Sequence, residues 1–313
     1  MRIALLVDSA CDLPRSFIDQ HEICVIPSVI SVGGRTFEDR RDAAKTLDFY
    51  QHQIGTATQQ AQAAPCSAAM LRDCILREVL PRSDFAVYET VSRARSPAYE
   101  TAMAAAAGII NDGRVLRKAA NAAPFVLRVV NSRSVMVGQG LLAAETIRMI
   151  RAGVPVNELR NAVEKLGGQV RVYVVPKDLH YLHARARAKG DHAVSWLSAT
   201  FDSVLDVKPV LECNGEHTVQ VGKIRSFDAA VHRLFSFAGE QIAAGLSARH
   251  VVVGYGGDAA QIGALPGYAD LVRVAKKHSI ELMACGMGMA AGINLGAGMV
   301  SVAFASERAP VWN

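Results

Sequence analysis

Short apolar runs alternate with segments of helical period through the first half of the chain, and this alternation constrains the fold more than any other feature. The runs are Ile3–Val7, Cys24–Val32, Phe85–Val91 and Phe125–Val130. The helical segments are Pro14–Gln20, Leu47–Ile54, Ala68–Leu80, Ala98–Asn111 and Gly138–Arg151. A parallel neighbour is reached only by a crossover, so strands separated by helices read as a parallel sheet. Such sheets hold ligands beyond the carboxyl ends of their strands. Gly153-Val154-Pro155 punctuates the pattern, and an amphipathic helix follows at Asn157–Leu166.

The second half reads differently. A strand at Arg171–Val175 leads into a basic stretch from His180 to Lys189 and a Trp196–Phe201 segment. Val204–Glu212 and Thr218–Ile224 then flank Asn214-Gly215, a hairpin signal because both residues tolerate positive φ. A helix at Ala229–Ala244, a strand at Val251–Tyr255 and a helix at Tyr268–His278 complete the pattern. At about 150 residues per domain, 313 residues make two. The expected fold is α/β: residues 1–153 form a parallel-sheet, Rossmann-like domain, and residues 154–313 an α/β domain with a mixed sheet. A ligand is expected in the cleft between them.

From Met283 to Ser306 no residue is charged, and Gly288, Gly292 and Gly296 repeat the spacing of packed membrane helices. Five glycines between 286 and 298 argue against a span, so a strand, a glycine loop and a second strand are expected, with no transmembrane segment.

The net charge of +5 is mixed along the chain, and Lys177, Arg185, Arg187 and Lys189 have only Tyr181 among them, which disfavours nucleic acid. Cysteines at 11, 24, 66, 74, 213 and 285 form no C-x-x-C pair; this spacing indicates reduced thiols in a cytoplasmic protein and no zinc site. His180 and His183 with Asp178 lack a third ligand, so no metal is expected. There is no G-x-S-x-G elbow or Walker A sequence, and Gly254–Gly257 and Gly286-x-Gly288 lack dinucleotide spacing. Binding without catalysis or cofactor is the better expectation.

The most informative turn is Ser92-Arg93-Ala94-Arg95-Ser96-Pro97. Ser96 suits an N-cap and Pro97 the first helical position, where free N–H groups favour an anion such as a carboxylate or phosphate. An ordinary capped helix with solvated arginines is the alternative. Asp8 and Ser9 end the first strand, and Asp12 is read as the cap of the next helix.

In order and spacing these landmarks resemble the DegV family of fatty-acid-binding proteins, from end to end. Asp8-Ser9-Ala10-Cys11-Asp12-Leu13-Pro14 resembles its D-S-x-x-D-L-P opening. Asn131-Ser132-Arg133-Ser134 through Gly138-Gln139-Gly140 is similar to D-S-R-S-x-x-x-G-x-G. Asp206–Leu211 resembles its I-K-P-I-L strand, Lys223-Ile224-Arg225 its K-x-R, and Gly292–Gly298 its G-T-H-T-G-P-G. The Ser92–Pro97 turn resembles S-S-x-L-S-G-T, with Ser96 on the carboxylate-binding serine.

The resemblance implies a two-domain carrier without turnover of its own, holding a fatty acid such as palmitate, stearate or oleate between its domains. It also implies a fatty acid kinase as partner. The head group falls to Ser96, Gln62, Ser92, Arg93, Arg187 and Asn294, and the cleft to Ser9, Cys66 and Gly292. Several positions depart from the pattern. Gln62 replaces the threonine of T-S-x-P-S, Arg93 the second serine, Pro97 the glycine and Asn294 the histidine, and G-G-R reads Arg185-Ala186-Arg187. Two rival readings share the cleft: a small-molecule phosphotransferase in which Ser96 and Arg187 hold a phosphate, and a ligand-responsive regulatory protein.

Overall fold

The computed structural model describes residues 1–54, 61–189, 206–215 and 217–312. The chain begins β1 (Ile3–Asp8), α1 (Arg15–Gln20), β2 (Cys24–Ile26), β3 (Ser28–Val32), β4 (Arg35–Asp39) and α2 (Ala43–Asp48), which runs into a π-helical turn at Phe49–Gln53. It continues through β5 (Gln62–Pro65), α3 (Ala68–Cys74) with a second π-helical turn at Ile75–Val79, β6 (Phe85–Thr90), α4 (Ala98–Ala119), β7 (Val126–Asn131) and α5 (Met136–Arg151). Beyond Gly153 come α6 (Val156–Gly167), β8 (Val170–Val175), α7 (Leu179–Lys189), β9 (Val207–Asn214), β10 (His217–Arg225) and α8 (Phe227–Ala244). β11 (His250–Tyr255), α9 (Tyr268–Lys277), β12 (Glu281–Gly286), α10 (Met289–Leu295) and β13 (Val300–Ala305) follow.

Strands β2-β1-β6-β7 form an all-parallel sheet, as the alternation predicts. The later half forms a mixed sheet in the order β10-β9-β8-β13-β11-β12, parallel only between β11 and β12. A small antiparallel sheet, β4-β3-β5, stands beside the first.

Residues two apart on a strand share a face, and that period sorts the core into three layers. Leu6, Ala86, Tyr88 and Leu127 pack outward with Ile75 and Ile109 beneath α3 and α4. Leu5, Val7, Val87 and Val130 face the opposite way, onto the apolar centre shared with α5 and α6. The mixed sheet turns Val172, Val174, Leu211 and Val252 towards that same centre. Its other face sets Tyr173, Val251, Val253 and Phe304 against Leu234, Phe235 and Leu271 of α8 and α9. α5 therefore lies between the two large sheets, and every residue from Met136 to Ile147 is buried. The helix approaches so closely that a Cβ at Gly140 would run into the Asp12 carbonyl.

Several elements depart from the sequence reading. Cys24–Val32 is two strands: Pro27, without an N–H, lets the chain leave the parallel sheet and start the antiparallel one. α4 runs on past Asn111 because Gly113 is a packing position, against Leu80 and Phe125. Asp12 does not cap α1; its Oδ1 accepts from the Gly288 N–H at 2.8 Å. Ser96 lies one residue before the cap position, and its Oγ still accepts from the Ala98 N–H at 3.3 Å. The glycine-rich ending contains α10 rather than loop alone. Trp196–Phe201 and the start of Val204–Glu212 lie outside the described residues. Among the described residues no helix is long and apolar enough to cross a membrane.

Candidate functional site

A cavity of about 260 Å³ opens where the carboxyl ends of β1 and β6 meet the second half. Asp8, Tyr88 and Val91 line it from the parallel sheet, and Ser28, Ala63, Ala64 and Cys66 from the small sheet and the residues after it. Val135 and Met136 at the start of α5, Leu182 of α7, and Leu211 of β9 add apolar wall. Ala290, Ala291 and Leu295 of α10 close the far side. The glycine-rich segment thus contributes a helix wall, held by Tyr181 Oη donating to the Ile293 carbonyl at 2.9 Å and Tyr50 Oη donating to the Gly288 carbonyl at 3.1 Å.

Polar groups are few and placed at particular points of this apolar wall. Ser96 lines the cavity at the start of α4, a helix of 22 residues whose first N–H groups have no intrahelical acceptor. Beside it, Arg95 is exposed and lines the cavity, its Nη2 donating to Thr218 Oγ1 of β10 at 2.7 Å. Ser92 Oγ donates to the Gly215 carbonyl at 3.0 Å, so the β9–β10 hairpin is fastened to the Ser92–Ser96 turn at two points. Arg185 of α7 also lines the cavity and is 5% exposed; loss of water there lowers its pKa from the ordinary arginine value. Asn294 lines it from α10, its Nδ2 donating to the Ala290 carbonyl at 2.7 Å.

Asp8 is the acidic group of the wall. Burial pushes its carboxyl up to about 6, against the opposing pull of the Val91 and Ala10 N–H groups it accepts from at 2.6 and 3.1 Å. The cavity therefore combines an apolar body, two guanidinium groups, a helix N-terminus and one carboxyl that burial raises to about 6. Such a site fits an amphiphile with an anionic end.

The sequence-predicted residues divide. Ser96, Asn294 and Cys66 line the cavity. Gln62 does not: it stands opposite Ser31 in the β3–β5 ladder with its side chain exposed, and its neighbours Ala63 and Ala64 take the wall. Ser92 is buried behind the turn, bonded to Gly215. Arg93 points to solvent, 3.2 Å from Glu100 and over the Tyr99 ring. Ser9 is fully buried and accepts from the Ser28 N–H at 3.1 Å, so it shapes the backbone beside the cavity. Gly292 is buried against Tyr50 and Ile54. Arg187 is exposed and does not line the cavity. On a helix Tyr181, Leu182 and Arg185 share a face, and Arg187 lies about 200° round from Arg185. Arg185 lies outside the motif-based set, and Arg95 belongs to the turn whose two arginines suit an anion; the signal for both is helical and turn phase rather than motif.

The family model described as "Uncharacterised protein, DegV family" matches residues 2–307. A DegV domain-containing protein of Xanthomonas axonopodis pv. citri is 38% identical over 308 residues, covering 98% of each chain. Protein DegV of Bacillus subtilis is 26% identical over 259 residues, covering 81% of this chain and 83% of its own. Among solved structures, the stearic-acid-binding protein of Eubacterium ventriosum superposes with a TM-score of 0.75 at 18% identity, over 97% of this chain and 98% of that one. The fatty-acid-binding DegV of Bacillus subtilis does so at 0.72 and 19%, over 98% and 100%.

Proposed function

Because the chain belongs to the DegV family, we propose that it binds a long-chain fatty acid, such as palmitate, stearate or oleate, in the cavity between its two halves. The observation that carries this reading is the combination of an apolar wall with Arg95, Ser96, Arg185 and Asn294 on one cavity. Burial of the acyl chain supplies about 0.8 kcal/mol per methylene, which exceeds the cost of ordering the ligand once a dozen methylenes are buried. The polar end contributes orientation. Charge-assisted hydrogen bonds to a carboxylate are about twice as strong as neutral ones, and guanidinium groups make them in pairs.

In this reading the protein is a carrier rather than a catalyst, works in the reducing cytoplasm, and offers its bound carboxylate to a fatty acid kinase at the Arg95–Ser96 opening. The kinase role rests on the resemblance of motifs. The test is direct. Delipidated protein mixed with palmitate or oleate should gain thermal stability by ligand linkage, and the methyl esters should give a smaller gain. No shift at saturating fatty acid, with delipidation verified, overturns the reading. Equal shifts for acid and ester overturn the charged head-group site.

A further inference from the structure

Cys24 and Cys74 are 50 positions apart in the sequence, and the fold closes that gap. Cys24 Sγ on β2, Cys74 Sγ at the end of α3 and a carboxylate oxygen of Glu78 lie within 4.8 Å of one another. Cys74 and Glu78 are four residues apart across the junction of α3 and the π-helical turn Ile75–Val79, so both project towards the β2 edge. Single π-helical turns are rare and recur at functional sites. Both thiols are buried while Glu78 is exposed, so the cluster has a closed sulfur floor and an entrance on the carboxylate side.

We propose that Cys24, Cys74 and Glu78 form a site for a zinc-class divalent cation, with its fourth position open to water. Zinc bonds thiolate sulfur at about 2.3 Å and carboxylate oxygen at about 2.0–2.2 Å in a tetrahedron, which sets ligand atoms about 3.5–3.8 Å apart. With all three atoms within 4.8 Å of one another, no pair has to close by more than about 1.3 Å to reach that spacing. Two sulfurs select against magnesium and calcium, which take oxygen. Binding converts two thiols to thiolates and releases their two protons to solvent, and Glu78 binds as its carboxylate. The resulting complex carries one net negative charge beside Arg40, whose Nη1 stands 3.8 Å from Glu78. Bound metal would fasten α3 to the edge strand of the parallel sheet, independently of the fatty-acid cavity.

The test uses the full chain, reduced and metal-free, with Co(II) and then Zn(II) as probes. Co(II) should give thiolate charge-transfer bands at one equivalent, and Zn(II) should bleach them. Glu78→Gln, at an exposed position that leaves the fold intact, should weaken Zn(II) binding about tenfold or more. Cys74→Ser, with its fold checked by circular dichroism, should abolish the bands. Binding should weaken as pH falls, because protons compete for the sulfurs. Absence of the bands, bands that survive both substitutions, or loss of two hydrogen masses to a Cys24–Cys74 disulfide without any bound ion would each overturn the proposal.

Discussion

Arg41 Nη1 lies 3.0 Å from Asp12 Oδ1, and both side chains are buried. The pair belongs to the first half and reaches into the second. Arg41 Nη2 donates to the Gly286 carbonyl at 2.9 Å, and Asp12 Oδ1 accepts from the Gly288 N–H at 2.8 Å. One ion pair from the first half thus grips both ends of the glycine turn that introduces α10. Arg41 is held to this task by its own N–H, which donates to Asp39 Oδ1 at 2.9 Å, and by a left-handed φ of 60°.

Removing one partner of a buried pair leaves the other charge uncompensated, at about 3–5 kcal/mol. Arg41→Met is expected to cost that much in urea unfolding. Asp12→Asn combined with Arg41→Met should recover part of the loss, since both charges are then gone. A single variant as stable as the parent would show that the pair does not brace the turn.

Glu89 gives the protein a pH dependence of known sign. It is fully buried, Thr146 Oγ1 donates to its Oε1, and among the described residues its Oε2 has no hydrogen-bond partner. Burial pushes its carboxyl up to about 8 from an ordinary 4.5. The folded state keeps the proton that the unfolded chain sheds first, so this contribution to stability is complete below about pH 4.5. It declines as pH rises and is lost on passing through about 8. Glu89→Gln mimics the protonated form. Its stability relative to the parent should rise between pH 5 and pH 9 by on the order of a few kcal/mol. Parallel stability–pH curves for the two proteins would contradict this.

Arginine substitutions separate the cavity from the surface. Arg95→Ala or Arg185→Ala should weaken fatty-acid binding about tenfold or more while changing affinity for the methyl ester little. Arg93→Ala and Arg187→Ala, at exposed positions off the cavity, should leave both affinities unchanged and alter stability by at most about 0.5 kcal/mol. Isothermal titration of the four variants with oleate and methyl oleate checks this. The reverse ranking would place the head group elsewhere.

Asn294 faces the cavity where the family pattern has histidine, and an amide cannot take up a proton near neutral pH. The parent protein, loaded with oleate, is expected to be a slow donor to a fatty acid kinase of the family, and Asn294→His a faster one. Gln62→Thr should add nothing, because that side chain points away from the cavity. Equal acyl phosphate formation by parent and Asn294→His would reject the expectation.

How far these features could be read in advance followed the kind of interaction that sets them. The parallel strands β1, β6 and β7 and the helices between them show in local period, since each must bury one face. The mixed sheet's hairpin shows in Asn214-Gly215, because turn chemistry is local. α10 does not show: a helix carrying Gly292 is poor by propensity, and it is held by Tyr50, Tyr181 and Asp12 from distant parts of the chain. The cavity was approached through motif positions, which brought Ser96, Cys66 and Asn294 to it. Those positions do not reach Arg185 and do not separate Arg95 from Arg93, because which of two nearby arginines turns inward depends on packing phase. The Cys24–Cys74 encounter had no local signature at all.

The place of β13 in the mixed sheet has a consequence for synthesis. It pairs with β8 on one side and β11 on the other, yet it is made after both of them. While the ribosome is still adding these residues, β8 and β11 present unpaired inner edges to the cell, and the shared apolar centre lacks Ala303 and Ala305. Unpaired edges of this kind recruit other strands. The emerging chain therefore passes through a sticky interval that ends only when its middle strand slides home, and a premature stop just before Val300 would make that interval permanent.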